Sequence, residues 1–313
     1  MFSDIAKNQI SIKDKLSKEN LPFSTTYEMF KWCADRYEHL NAIKFQHTAE
    51  IDSPIDKLSY RELFQKITQA ANLFSSFSEN SPIVSYILPN LPQTHFTIWG
   101  AEEAGIVNAI NPFLESDKIF DILETAKSTI LVTLAPALSP ELWDKIVKVI
   151  KKSSQIETIL LVGIDEINHN ISKQVDIPVI SFDMTLAQQN NLTLNTASTT
   201  ASNDIAAYFH TGGTTGTPKV AQQTHANQIA NALSLTQFYS GNVGDVCLVG
   251  LPLFHVNAVI GTGLAAFMKG NCIVLLTAAG YRTPNILVNF WQYVKKYKAT
   301  IFSCVPTILT ALL

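Results

Sequence analysis

Apolar side chains along this chain switch between two spacings, one suited to helices and one to buried strands. Ser24 or Thr25 can cap a helix that carries Met29, Phe30, Trp32 and Tyr37. Residues 42–46 read as a short strand. Leu63, Ile67, Ala70, Ala71, Phe74 and Phe77 then fall on one face of a helix that begins after Leu58-Ser59-Tyr60. Residues 82–88 form an apolar strand, a helix follows through Trp99 and Ala104 with Gly105 as its stop, and 107–110 is the next strand. Strand, helix and strand at this spacing make a βαβ unit, which requires a parallel sheet. The alternation continues with helix 119–126, strand 129–134, helix 141–151 and strand 158–162.

A polar, low-complexity connector at 187–203 leads into Ile205-Ala206-Ala207-Tyr208-Phe209, an apolar run suited to a buried strand. Beyond residue 219 the pattern predicts helix 226–239 capped by Thr224, strand 245–251, and a buried apolar helix over 256–268. Strand 272–277, helix 285–298, strand 300–305 and a helix with Pro306 at its first position complete the chain. The fold class that follows is α/β, with mostly parallel sheets flanked by helices.

Between the strand at 205–209 and the helix near His225 lies a polar loop. It packs Thr211, Gly212, Gly213, Thr214, Thr215, Gly216, Thr217, Pro218 and Lys219 together. Open α/β sheets place their ligands at such a strand-to-helix junction. Glycines let backbone N–H groups turn toward an anion. Threonine hydroxyls add donors, and Lys219 adds a charge that can reach a terminal phosphate. A triphosphate-binding loop is the reading this favours, although composition alone also admits a flexible surface loop. A Walker A loop is excluded, because Thr217 and Pro218 separate Gly216 from Lys219 and Val220 follows the lysine.

Charge and cysteine content narrow the picture further. The 313 residues carry a net charge of −3, which gives no reason to expect nucleic acid or an anionic membrane as partner. Residues 1–20 lack the apolar core of a secretory signal. The most apolar stretch, 256–268, is too short and interrupted for a transmembrane segment. Cys33, Cys247, Cys272 and Cys304 form no paired motif and suit free thiols in a cytoplasmic setting. The histidines show no metal-ligand spacing, so no metal site is expected.

The segment Thr211 to Lys219 resembles the phosphate loop of the adenylate-forming ligases, the superfamily of acyl-CoA synthetases, firefly luciferase and peptide-synthetase adenylation domains. Their usual pattern is Tyr-Thr-Ser-Gly-Thr-Thr-Gly-x-Pro-Lys-Gly. Here Gly212 stands at the serine, Val220 at the final glycine and His210 at an aromatic position. Thr224-His225-x-Asn227 fits the family as well. So do Leu88-Pro89-Asn90 and Asn111-Pro112, which act there mainly as scaffold. The resemblance runs from about Tyr27 to the end and passes through 187–203 on both sides, so that connector is not read as a domain boundary.

The resemblance implies an ATP-dependent acyl-CoA synthetase that activates a fatty or other carboxylic acid as acyl-AMP and transfers it to coenzyme A. ATP, Mg2+ and coenzyme A are the implied cofactors. It implies a phosphate site at Thr211, Gly212, Gly213, Thr214, Thr215, Gly216, Thr217 and Lys219. His255 would gate the reacting carbonyl, and Asn257, Gly261, Thr262 and Gly263 would line the acyl pocket. A packed structural histidine and plain helix packing are the competing readings of these last positions. Residues 1–313 are expected to be the N-terminal domain of such an enzyme, truncated before the adenine segment, the ribose carboxylate and the C-terminal lysine, and inactive alone. A non-catalytic nucleotide- or acyl-binding remnant is the alternative, and a homodimer is left open.

Overall fold

Two sheets take up the alternating pattern. The computed structural model describes residues 21–78, 80–210, 219–238 and 242–313. In chain order the first strands are β1 (Asn41–Gln46), β2 (Ile55–Ser59), β3 (Ile83–Ile87), β4 (Ile106–Ala109), β5 (Ile130–Leu134) and β6 (Thr158–Val162). They are followed by β7 (Val179–Ser181), β8 (Ile205–His210), β9 (Val220–Thr224), β10 (Val246–Val249), β11 (Cys272–Leu276) and β12 (Ile301–Phe302). The larger sheet has the order β7-β6-β5-β3-β4-β8-β9 and the smaller one β12-β10-β11-β1-β2. All pairings are parallel except β8 with β9 and β1 with β2.

The helices are α1 (Thr26–Tyr37), α2 (Tyr60–Ser75), α3 (Pro92–Ala104), α4 (Ser116–Ala126), α5 (Pro140–Ile150) and α6 (His169–Ser172). After them come α7 (Phe182–Ala187), α8 (His225–Phe238), α9 (Ala265–Met268), α10 (Phe290–Tyr297) and α11 (Pro306–Leu312). Thr25, rather than Ser24, caps α1. Its Oγ1 accepts from the Glu28 N–H at 3.2 Å, and the Glu28 carboxylate accepts the Thr25 N–H at 3.3 Å. Ser59 and Glu62 close the same reciprocal box at α2.

Three apolar clusters set the layers. The main one joins one face of each sheet to α1, α2 and α3, with Phe30, Phe74, Trp99 and Phe267 fully buried. A second packs α4 and α5 on the other face of the larger sheet, and a third packs α10 on the smaller sheet. Helices α2 and α3 touch at Gly100, where a Cβ would stand 2.5 Å from Ala70 Cβ and 2.9 Å from Ala71 N. Only glycine allows that approach. Cys33, Cys247 and Cys272 are buried free thiols, and Cys304 is a half-buried one. Among the described residues, no helix is long and apolar enough to cross a membrane.

The structure departs from the sequence reading in several places. The polar loop does not run from a strand into a helix. Residues 220–224 form β9, which folds back along β8 with His210 opposite Val220 and Phe209 opposite Ala221. An unpaired β8 would leave a row of backbone donors and acceptors without partners, and β9 supplies them. The helix expected over 285–298 is confined to Phe290–Tyr297, because Asn285 sits at φ 67 and cannot continue a right-handed helix. The strand expected over 300–305 pairs only at Ile301 and Phe302. Beyond them, the Ser303 carbonyl accepts from Tyr281 Oη at 3.0 Å instead of entering the ladder. Residues 257–264 form a π-helix, a wider turn than the expected α-helix, before α9.

Candidate active site

The candidate site lies at the C-terminal ends of the strands, where parallel α/β sheets bind ligands. Strand β8 ends at His210, and β9 begins at Val220, its ladder partner. The ladder therefore fixes both feet of the polar loop side by side. Lys219 is exposed at the returning foot. The expected phosphate ligands Thr211, Gly212, Gly213, Thr214, Thr215, Gly216 and Thr217 lie outside the described residues.

Two imidazoles meet beside this loop. His210 Nε2 accepts the Asn111 N–H at 3.3 Å, which leaves the ring proton on Nδ1. Burial, and then the neighbouring His255, hold His210 below the usual histidine range. His255 is lowered by burial and then by the charge of Arg282. Both rings are thus biased toward the neutral form, which presents N–H donors without a full charge. The His255 ring lies 4.4 Å from that of Phe254, whose own ring is 6.3 Å from Phe113. The Arg282 guanidinium stands 4.0 Å over the Phe113 ring.

His255 is placed from the larger sheet. Tyr86, on β3, donates its hydroxyl to the Leu253 carbonyl at 2.5 Å. Asn90, 2% exposed, accepts the Leu253 N–H at 3.0 Å and donates Nδ2 to the Leu251 carbonyl at 3.0 Å. Its backbone N–H goes to the Ala278 carbonyl at 2.9 Å. One side chain thus ties the end of β3 to the segments following β10 and β11. Sequence reasoning gave Asn90 no role beyond scaffold. Its only signal was a polar residue directly after an apolar strand and a proline. Asn90→Ala strands a buried N–H and a carbonyl, so we expect a loss of about 1–3 kcal/mol of stability by chemical denaturation. An unchanged midpoint would show that water replaces both bonds.

The expected acyl-pocket residues divide between two surroundings. Asn257 donates Nδ2 to Ser303 Oγ at 3.2 Å, and a Cβ at Gly261 would meet Asn257 Oδ1 at 2.8 Å. Asn257 and Gly261 therefore share one face of the π-helix. Thr262 is 1% exposed and donates its hydroxyl back to the Ala258 carbonyl at 3.1 Å. A Cβ at Gly263 would stand 3.1 Å from the Ala258 carbonyl and 3.7 Å from His95 Cε1, against α3. π-turns of this kind often sit at functional sites. Among the described residues, no group of three or more His, Cys, Asp or Glu side chains is placed to hold a metal ion.

Comparison with known proteins gives the family and the fold. The family model described as AMP-binding enzyme matches residues 30–313. The chain is 33% identical over 301 residues to the marinolic acid–CoA ligase of Pseudoalteromonas sp. (strain SANK 73390), covering 94% of this chain and 44% of that protein. It is 29% identical over 293 residues to the crotonobetaine/carnitine–CoA ligase of Escherichia coli O17:K52:H18, covering 91% and 52%. The chain thus spans about half the length of the curated relatives it matches. The long-chain-fatty-acid-CoA ligase FadD1 from Archaeoglobus fulgidus superposes with a TM-score of 0.76 at 22% identity, over 94% of this chain and 54% of that one. The N-terminal domain of FACL13 from Mycobacterium tuberculosis gives 0.70 at 18%, over 93% and 65%. These superpositions show the fold, that of N-terminal domains of adenylate-forming ligases. With the family model spanning nearly the whole described chain, this protein belongs to the AMP-binding enzyme family, as an N-terminal part of the CoA-ligase pattern.

Proposed function

We propose that the chain supplies the N-terminal half of an ATP-dependent acyl-CoA synthetase. In the first step a carboxylate oxygen attacks the α-phosphorus of ATP, bound as its Mg2+ complex. The bond to the β-phosphate oxygen breaks, and acyl-AMP and pyrophosphate form. In the second step the thiol of coenzyme A attacks the acyl carbon, its proton passes to solvent, and AMP leaves. The observation that carries this reading is the β8–β9 hairpin. It sets Val220, the residue after Lys219, opposite His210, which has His255 as a neighbour, in a chain of this family.

Two anions must meet in the first step, so repulsion has to be screened. Lys219 and the loop Thr211 to Thr217 would receive the phosphates and stabilise the departing pyrophosphate. His255, kept neutral, would orient the incoming carboxylate by an N–H bond rather than trap it by charge. Asn257 and Gly261 would border the acyl group. Thr262 and Gly263 would set how closely the π-helix approaches α3, and so the depth available to the acid.

The test is acid-dependent exchange of pyrophosphate into ATP. It is run on a chain extended to the length of its CoA-ligase relatives, with a broad panel of carboxylic acids. Exchange with at least one acid, followed by thioester formation on adding coenzyme A, is the expected result. Exchange with none would overturn the proposal.

A further inference from the structure

In the core, one hydroxyl hydrogen stands between two acceptors. Thr26 Oγ1, on α1, lies 2.8 Å from Glu102 Oε2 on α3 and 3.0 Å from His225 Nδ1 on α8. Thr26, Glu102 and His225 are each 1% exposed or less. The Thr26 backbone N–H also donates to His225 Nδ1 at 3.3 Å, which makes Nδ1 an acceptor and puts the ring proton on Nε2. A threonine hydroxyl has one hydrogen to give and lone pairs that accept. With a proton on Oε2, Glu102 donates to Thr26 Oγ1, and the Thr26 hydroxyl donates to His225. Once that proton has left to solvent, the Thr26 hydroxyl turns to the carboxylate, because a charged acceptor holds a donor roughly twice as strongly as a neutral one. His225 Nδ1 then keeps only the longer bond from the Thr26 N–H.

This relay sits at the root of the β8–β9 hairpin. His225 is the first residue of α8 and directly follows β9. Thr224 and Asn227 close the junction, each side-chain oxygen accepting the other's backbone N–H at 3.1 Å. Gln228 Nε2 lies 2.9 Å from Glu102 Oε1 and 3.4 Å from Gln223 Oε1, and so joins α3 to β9 as well. Strand β9 lies at the edge of the larger sheet with β8 as its ladder neighbour, and the junction with α8 is its second anchor. From Gln223 to Val220, the residue after Lys219, is roughly 10 Å along the strand at about 3.3 Å per residue.

We propose that Glu102, Thr26 and His225 form a proton-operated latch on the hairpin, which makes ATP binding at the polar loop tighter below neutral pH than above it; the ATP site itself rests on the function proposed above. Burial lifts the Glu102 carboxyl to about 7, so the change of state falls near neutrality. The other groups that face the relay are His225 itself, Glu28 and Tyr27 on α1, Glu103 on α3, Tyr86 on β3 and Asp204 ahead of β8. His225 is lowered to about 4 by burial and is neutral above that. Against the effect of burial, hydrogen bonds from Ser24 and Thr25 hold Glu28 below the usual carboxylate range. Burial raises Tyr27 and Tyr86. Glu103 is also lifted to about 7 by burial, and its own variant therefore serves as the control.

The experiment is nitrogen-15 NMR of the histidine rings in the 313-residue protein at about pH 6 and about pH 8.5, on either side of the Glu102 transition. His225 is assigned by the loss of its signal in His225→Gln. Its Nδ1 resonance should shift between the two pH values as the hydroxyl donor is withdrawn. Calorimetry with Mg-ATP, on a chain extended to the length of its CoA-ligase relatives, should show about two- to tenfold weaker binding at the higher pH, the worth of one hydrogen bond. In Glu102→Gln the amide can donate to Thr26 Oγ1 at either pH. That variant should keep the His225 resonance at its low-pH position and ATP affinity constant to within about twofold. Glu103→Gln should retain both responses of the parent. Should Glu102→Gln fail to fold, Thr26→Val removes the hydroxyl and should fix the resonance at its high-pH position. A resonance that stays still in the parent, or moves as far in the variant that folds, would overturn the latch. A moving resonance with ATP affinity independent of pH would overturn its coupling to the loop. No ATP binding at either pH would overturn the phosphate-loop reading and the coupling with it, while the resonance still decides the latch.

Discussion

Replacing Lys219 by alanine is expected to weaken ATP binding by roughly 10- to 150-fold, the equivalent of about 1.5–3 kcal/mol for a charge-assisted hydrogen bond. The β8–β9 ladder supplies the reason. Val220 is opposite His210, so the backbone of Lys219 is anchored at the returning foot of the loop. Its four-carbon stem can then extend over the space between the two feet. Lys219→Arg keeps the charge and should retain more affinity than alanine, although its planar fork cannot reproduce a point charge at the same atom. The measurement is calorimetry with Mg-ATP on a chain extended to the length of its CoA-ligase relatives. Unchanged affinity in the alanine variant would remove Lys219 from the phosphate site.

Glu102→Gln is expected to flatten the pH dependence of stability on the alkaline side. Glu102 is 1% exposed, within α3. Its Oε2 accepts from Thr26 Oγ1 at 2.8 Å and its Oε1 from Gln228 Nε2 at 2.9 Å, which ties α1, α3 and α8 together. Burial, opposed by these two bonds, raises its carboxyl from 4.5 to about 7. The folded state therefore holds a proton that the unfolded chain releases near 4.5. The stability this contributes is complete below about 4.5 and is lost as pH rises through about 7. At about 1.4 kcal/mol per pH unit, the loss is on the order of 3 kcal/mol. His225, whose Nδ1 lies 3.0 Å from the same Thr26 hydroxyl, acts in the opposite sense. Burial lowers it from 6.5 to about 4, so its contribution is present above 6.5 and lost as pH falls through 4. Glutamine keeps the shape of the Glu102 site, and the Thr26 hydroxyl can turn to accept from its amide. Denaturation midpoints at pH 5 and pH 8 should therefore move closer together in Glu102→Gln than in the parent. An undiminished difference would show that Glu102 is ionised in the folded protein.

Much of the fold was legible because period is a local property. The face formed by Leu63, Ile67, Ala70 and Phe74 is buried as its spacing demands. Gly105 ends α3 where it was expected, and Pro306 opens α11. The elements that escaped were short or marginal. Strand β9 has the sequence Val-Ala-Gln-Gln-Thr, with exposed Ala221 and Gln222, and it is a strand only because β8 needs an antiparallel neighbour. Strand β7 has three residues, below the length at which alternation can be recognised. The polar loop stood out in the sequence by its glycine, threonine and lysine in order. Its setting in a hairpin did not.

What the sequence determined by itself was therefore the α/β class, the order of most elements and the position of one chemically distinctive loop. Each depends on residues close together in the chain, through side-chain period, caps and backbone freedom. The tertiary structure alone decided which distant groups share a surrounding. His210 and His255 are 45 positions apart, and His255 helps to hold His210 below the usual histidine range because the fold brings the segment after β10 beside the end of β8. Asn90 becomes a clasp between two sheets because the turns after β10 and β11 present their backbone groups to it. Glu103 is a helix residue in the sequence and an acid with one buried, unpaired oxygen in the fold. Burial and through-space charge depend on packing between elements, and no local pattern of residues encodes that packing.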